Sequence, residues 1–109
     1  MAKLIDWIRE ETDEEVTAVI FGEVYKYRYW NEDDTEDKNP PAGVVMTLEE
    51  AMPWLEKEFD DGYGAPECPA MAAYTDNLII SVYQYDGSTS AFTIQRNPIN
   101  GIKPCMPGG

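Results

Sequence analysis

The stretch that most constrains the fold is Ala70 to Arg96, AMAAYTDNLIISVYQYDGSTSAFTIQR. β-Branched and aromatic residues dominate its three runs, as suits a pleated, half-buried surface. Asp76-Asn77 supplies the first turn between runs and Asp86-Gly87 the second. Asp-Gly between alternating apolar residues is a strong hairpin signal, because a type I′ turn needs positive φ at both central positions. Between the turns, Leu78, Ile80 and Val82 share one side of a strand, and Ile79, Ser81, Tyr83 and Tyr85 the other. Phe92 and Ile94 are expected to join a core face in the last strand. The stretch therefore predicts a three-stranded antiparallel meander.

The best-signed helix precedes it. Thr47-Leu48-Glu49-Glu50 has the form of a capping box, with Thr47 as N-cap and Glu50 returning the bond. Leu48, Ala51, Met52, Leu55 and Phe59 then fall on one stripe, so the spacing predicts a helix over 48–60. Pro53 deletes one backbone bond inside it, and Gly62 is the expected left-handed cap. Near the N-terminus, Leu4, Ile5, Trp7 and Ile8 predict a short amphipathic helix over 3–11. Thr12 to Glu15 repeats the capping-box form and allows a further helical turn.

Residues 16–21, VTAVIF, read as a strand covered on both faces. Gly22 allows a bend, and residues 24–30 then alternate, placing Tyr25, Tyr27 and Tyr29 on one face. These two strands are expected to form a hairpin. Residues 31–43, NEDDTEDKNPPAG, form an acidic loop, and 97–109 a proline- and glycine-rich tail. With 109 residues the chain is expected to be a single domain. The predicted class is α+β: a mainly antiparallel sheet, made of the hairpin plus the meander, with two helices packed on one face.

The chemistry is narrowed by what is missing. No histidine is present, so Ser-His-Asp and Cys-His sites and the usual zinc sets are excluded. Neither a phosphate-binding GxxxxGK[ST] loop nor GxGxxG occurs. Asn31, Asp33 and Thr35 lack the glycine and distal glutamate of a calcium loop, and no metal or cofactor is expected. Cys68 and Cys105 allow one disulfide at most and no framework. No apolar run approaches the length of a membrane span, and a cytosolic location with reduced thiols is the expectation. Asp60, Asp61, Asp76 and Asp86 are the candidates for carboxylate catalysis. All four stand at turns, where aspartate serves the local backbone, and a non-enzymatic protein is expected.

What remains is charge. The chain carries 21 acids against 8 bases, for a formal net charge of -13. Most of the acids fall in three groups. One is Glu10, Glu11, Asp13, Glu14 and Glu15, and the second is Glu32, Asp33, Asp34, Glu36 and Asp37. The third is Glu49, Glu50, Glu56, Glu58, Asp60 and Asp61. Two carboxylates about 10 Å apart in water repel by only a few tenths of a kcal/mol, so the fold tolerates such groups without any use for them. An ordered acidic face can nevertheless stand in for a phosphate backbone, exchanging the counterions of a basic groove for carboxylates. The second and third groups are the candidate partner-binding face. The expected partner is a basic surface on a nucleic-acid-handling protein, with neither nucleic acid nor membrane bound directly. Homo-oligomerisation through the Tyr25, Tyr27 and Tyr29 face or a strand edge is the alternative.

Three segments, TLEEAMPWLEKEFDDGYG, then Cys68 with AYTDN, then YDGSTSAFTIQRNP, resemble a group of small uncharacterised proteins of tailed bacteriophages. The resemblance covers roughly residues 47–98. The group often carries a histidine after the cysteine, where this chain has Pro69, and it has no activity or site residue to transfer. It implies a phage or prophage product acting in a bacterial cytoplasm. Such small acidic proteins are similar in character to inhibitors of host nucleases, restriction systems and CRISPR complexes.

Overall fold

A computed structural model describes residues 2–22, 39–59, 62, 68–85, 88–97 and 100–101. In chain order the elements are α1 (Leu4–Glu11), β1 (Ala18–Phe21), β2 (Val45–Met46), α2 (Leu48–Leu55), β3 (Met71–Tyr74), β4 (Leu78–Tyr85) and β5 (Ser88–Gln95). The strands make one five-stranded sheet in the order β2-β1-β3-β4-β5, with every neighbouring pair antiparallel. The protein is a small α+β domain.

The meander forms as its sequence predicts. β3 and β4 are joined through Thr75, Asp76 and Asn77, and Thr75 N–H donates to Leu78 O at 2.9 Å. β4 and β5 pair along their full length from Leu78↔Gln95 to Tyr85↔Ser88. The Asp86-Gly87 turn itself lies outside the described residues. One expectation about this hairpin fails. Phe92 and Ile94 do not face the core: Phe92 lies opposite Ser81 and Ile94 opposite Ile79. They therefore share a face with Tyr83, whose ring meets Phe92 edge-on at 5.7 Å. Ile94 is 48% exposed. The reason is parity. Pairing Tyr85 with Ser88 sets even residues of β5 opposite odd residues of β4, and opposed side chains share a face.

The core face follows from the same register. Val19 and Phe21 of β1 oppose Ala73 and Met71 of β3, and Ala73 opposes Ile80 of β4. All five are buried, and one cluster joins them to Leu4, Ile5 and Ile8 of α1 and to Ala51 and Leu55 of α2. α1 packs beside β5, α2 beside β1 and β2, and the helices touch each other. Ala18 and Ile20, on the other face of β1, are only half-buried, so the strand alternates and is less covered than its apolar sequence suggests.

The predicted hairpin of 16–21 with 24–30 is not what flanks β1. Val19 and Ile20 have β2 on one edge and β3 on the other, and no edge of either is left for a third strand. Residues 24–30 lie outside the described residues. Gly22 marks the end of β1 by close approach: its N–H donates to Ala70 O at 2.7 Å, and a Cβ there would stand 2.8 Å from that of Ala70. Thr12 ends α1 and starts no further helix. Its backbone is extended, and its hydroxyl accepts from Glu14 N–H at 3.0 Å in a local turn.

α2 is shorter than the 48–60 expected. Its capping box forms as read, with Glu50 N–H donating to Thr47 Oγ1 at 3.1 Å and Thr47 N–H donating to Glu50 Oε1 at 2.9 Å. The helix stops at Leu55. Acids suit the positive start of a helix and oppose its negative end, and continuing would place Glu56, Glu58 and Asp60 at that end. Instead the chain leaves the helix in a turn at Glu56, and Phe59 pairs with Ala2 through two backbone bonds of 2.8 and 2.9 Å. Phe59 still reaches the core by this route, meeting Trp7 edge-on at 5.3 Å.

Candidate partner-binding surface

The acids expected to meet a partner divide sharply. Glu32, Asp33, Asp34, Glu36, Asp37, Asp60 and Asp61 lie outside the described residues. Glu49, Glu50, Glu56 and Glu58 are all exposed. Glu49 lies in the first turn of α2, and Glu56 is the residue that caps its C-terminal end. Glu50 is committed to the capping box, with one carboxylate oxygen held by Thr47 N–H. Glu58 lies beyond the helix, outside any helix or strand, and so lacks the placement that a helix to residue 60 would have supplied.

The acids of 10–15, read only as a group by sequence, are drawn into the fold more closely. Glu11 Oε1 accepts from Thr93 Oγ1 at 2.9 Å, fastening the end of α1 over β5. Beside this contact a pocket of about 200 Å³ is lined by Trp7, Glu10, Glu11, Thr89, Ser90 and Ala91. A second pocket of similar volume runs along the other side of α1, with Arg9, Asp13, Glu14 and Glu15 at its rim.

Glu14 reaches the β3–β4 turn. Its Oε1 accepts from Thr75 Oγ1 and its Oε2 from Asn77 Nδ2 at 3.2 Å. The Thr75 hydroxyl, and after it the Asn77 amide, hold the Glu14 carboxyl below its ordinary value of 4.5, against a smaller opposing effect of desolvation. A carboxyl depressed in the folded state stabilises above its unfolded pKa, and that contribution is lost as pH falls through the folded pKa. Glu14→Gln should therefore be less stable than the parent at neutral pH, with the gap closing as pH drops below about 4.5. Denaturant titrations of both chains across that range check it; a gap that stays constant with pH refutes the charge contribution.

The carboxylates considered for catalysis do not assemble among the described residues. Asp60, Asp61 and Asp86 fall outside them. Asp76 is exposed in the β3–β4 turn, its carbonyl accepting from Asn97 Nδ2 at 3.3 Å. No group of three or more Cys, Asp or Glu side chains converges among the described residues. Cys68 is buried, and Cys105 lies outside the described residues, as do Tyr25, Tyr27 and Tyr29. No described helix is long and apolar enough to cross a membrane. The geometry thus presents exposed carboxylates on α2 and on the last turn of α1, beside the edge of the sheet. No known protein family, curated protein or solved structure matches this chain.

Proposed function

We propose that the protein is a non-enzymatic binding protein of phage or prophage origin that acts in the bacterial cytoplasm. It inhibits a host nucleic-acid-handling complex of the restriction or CRISPR type by occupying its basic surface. The observation that carries this reading is the charge, -13 in 109 residues with the acids grouped along the chain. The exposed Glu49 and Glu50 in the first turn of α2, with Glu56 at its C-terminal cap, support it, because a helix holds the carboxylates at its two ends apart at a fixed distance. A basic groove then exchanges its phosphate counterions for carboxylates, and association is fast and salt-dependent.

Immobilising the chain and capturing proteins from a bacterial lysate tests the reading. The captured partner should be a nucleic-acid-binding protein that duplex DNA displaces. Its affinity should fall by about a hundredfold or more between roughly 50 and 200 mM salt, as for an interface that releases several counterions. A partner without a basic groove, or an affinity indifferent to salt, refutes the proposal.

A further inference from the structure

We infer that β5 accepts an extended basic segment of a partner protein as a sixth strand. β5 is the terminal strand of the sheet, and among the described residues it pairs only with β4. Arg96 N–H donates to Asn77 O across the start of the same ladder. Antiparallel bonding alternates, so even residues of β5 bond to β4 and odd residues turn their N–H and C=O to the open edge. Thr89 is buried, which leaves Ala91, Thr93 and Gln95 to present the accessible edge. Natural edges are guarded by charge, proline or a bulge. Ser88–Gln95, STSAFTIQ, carries no charge and no proline.

The surroundings specify the occupant. A strand added antiparallel places alternate side chains beside Ala91 and Thr93, where the Glu11 carboxylate already lies over Thr93 and Glu10 is exposed. The pocket that these acids share with Trp7 has room for the end of a lysine or arginine chain. The intervening side chains fall on the other face, next to Phe92 and the half-exposed Ile94. The fitting segment alternates basic with apolar residues, and main-chain bonds supply affinity while the alternation supplies selectivity. A second copy of this chain fits less well, since it brings another -13 and the same Glu10 and Glu11 to the joint. This inference rests on the proposed basic partner and adds how part of that partner docks.

The test uses the full chain and a heptapeptide alternating lysine and valine, with a peptide of equal composition in two blocks as control. The alternating peptide should bind about tenfold or more tightly than the block peptide. Amide exchange at Ala91, Thr93 and Gln95 should slow in its presence. N-methylation of the lysine residues, which face the edge in antiparallel pairing, should abolish binding, and N-methylation of the valines should not. Ala91→Pro, which removes an outward N–H and no bond to β4, should also abolish it in a chain that remains folded by circular dichroism. Equal binding of both peptides, or unchanged exchange at these amides, overturns edge addition while leaving the acidic reading intact. A β5 edge protected without peptide in a dimer seen by light scattering overturns it too, in favour of a second copy. Failure of both peptides at low salt counts against the edge and the basic-partner reading together.

Discussion

Phe21→Ala should destabilise the protein by about 3–5 kcal/mol, enough to remove much of the stability of a small domain. Phe21 is fully buried at the end of β1, opposite Met71 of β3. It also meets the Trp54 ring of α2 at 6.0 Å and an angle of 67°. Its truncation therefore opens a cavity between the sheet and α2 and removes an aromatic pair worth about 0.5–1.5 kcal/mol. The neighbours cannot collapse into the space easily. The Phe21 carbonyl accepts from Gly43 N–H at 2.8 Å, and the next residue is tied to Ala70, so the backbone is pinned on both sides. Phe21→Leu, which keeps most of the volume, should cost less than half as much. Urea denaturation of the three chains measures this; a loss under about 1 kcal/mol for the alanine variant would mean that the sheet and α2 do not share a core.

Much of this fold is legible in the residues, and its misreadings have identifiable causes. The meander and the capping box state themselves through turn chemistry and local hydrogen bonding, which need no knowledge of distant contacts. The placing of Phe92 and Ile94 was also legible. A two-residue Asp86-Gly87 link pairs Tyr85 with Ser88, and counting outward from it sets Phe92 opposite Ser81. Apolar character alone pointed to the core, and register overrode it. The end of α2 was partly legible, since a row of acids at a helix C-terminus opposes the dipole, but the apolar stripe reaching Phe59 favoured a longer helix. The pairing of β1 with β2 was not legible. Val45-Met46 is too short for a periodic signal, and its partner stands far back in the chain.

The candidate surface was less visible than the fold. Counting acids locates charge but not geometry: nothing in EETDEE says that Glu11 will sit on Thr93 or that Glu14 will hold a turn between β3 and β4. Those contacts join residues more than sixty positions apart. The open edge of β5 depends likewise on its place last in the sheet, a property of topology that no local pattern carries. Conversely, Glu50 looked like surface charge as well as a cap, and the structure commits its carboxylate to the cap.

Thr75→Val should cost about 2–3 kcal/mol although it preserves shape and volume, because the hydroxyl is the hub of the β3–β4 turn. Thr75 is fully buried. Its Oγ1 accepts from Leu78 N–H at 2.9 Å and from Asn77 N–H at 3.2 Å, while its own hydrogen goes to Glu14. Its carbonyl accepts from Arg96 Nη1 at 2.6 Å, and the Arg96 guanidinium lies over the Tyr74 ring at 5.8 Å. Valine removes the acceptor for two backbone donors and the donor to a carboxylate, and the methyl that replaces the hydroxyl keeps water from substituting. Thr75→Ser retains the oxygen and loses one methyl, so it should cost about 1 kcal/mol. The serine comparison separates hydrogen bonding from packing: equal losses for serine and valine would show that the turn is held by the methyl group. A double-mutant cycle with Glu14→Gln should be non-additive, since glutamine weakens by loss of charge the same bond that valine removes. Loss of the hub should also speed amide exchange at Leu78 and at Arg96, because both ends of the β4–β5 ladder's opening turn are tied to it. The cost falls where β4 begins, and β5 takes its register from β4; a loosened hub therefore blurs the alternation of outward amides on which strand addition at β5 depends.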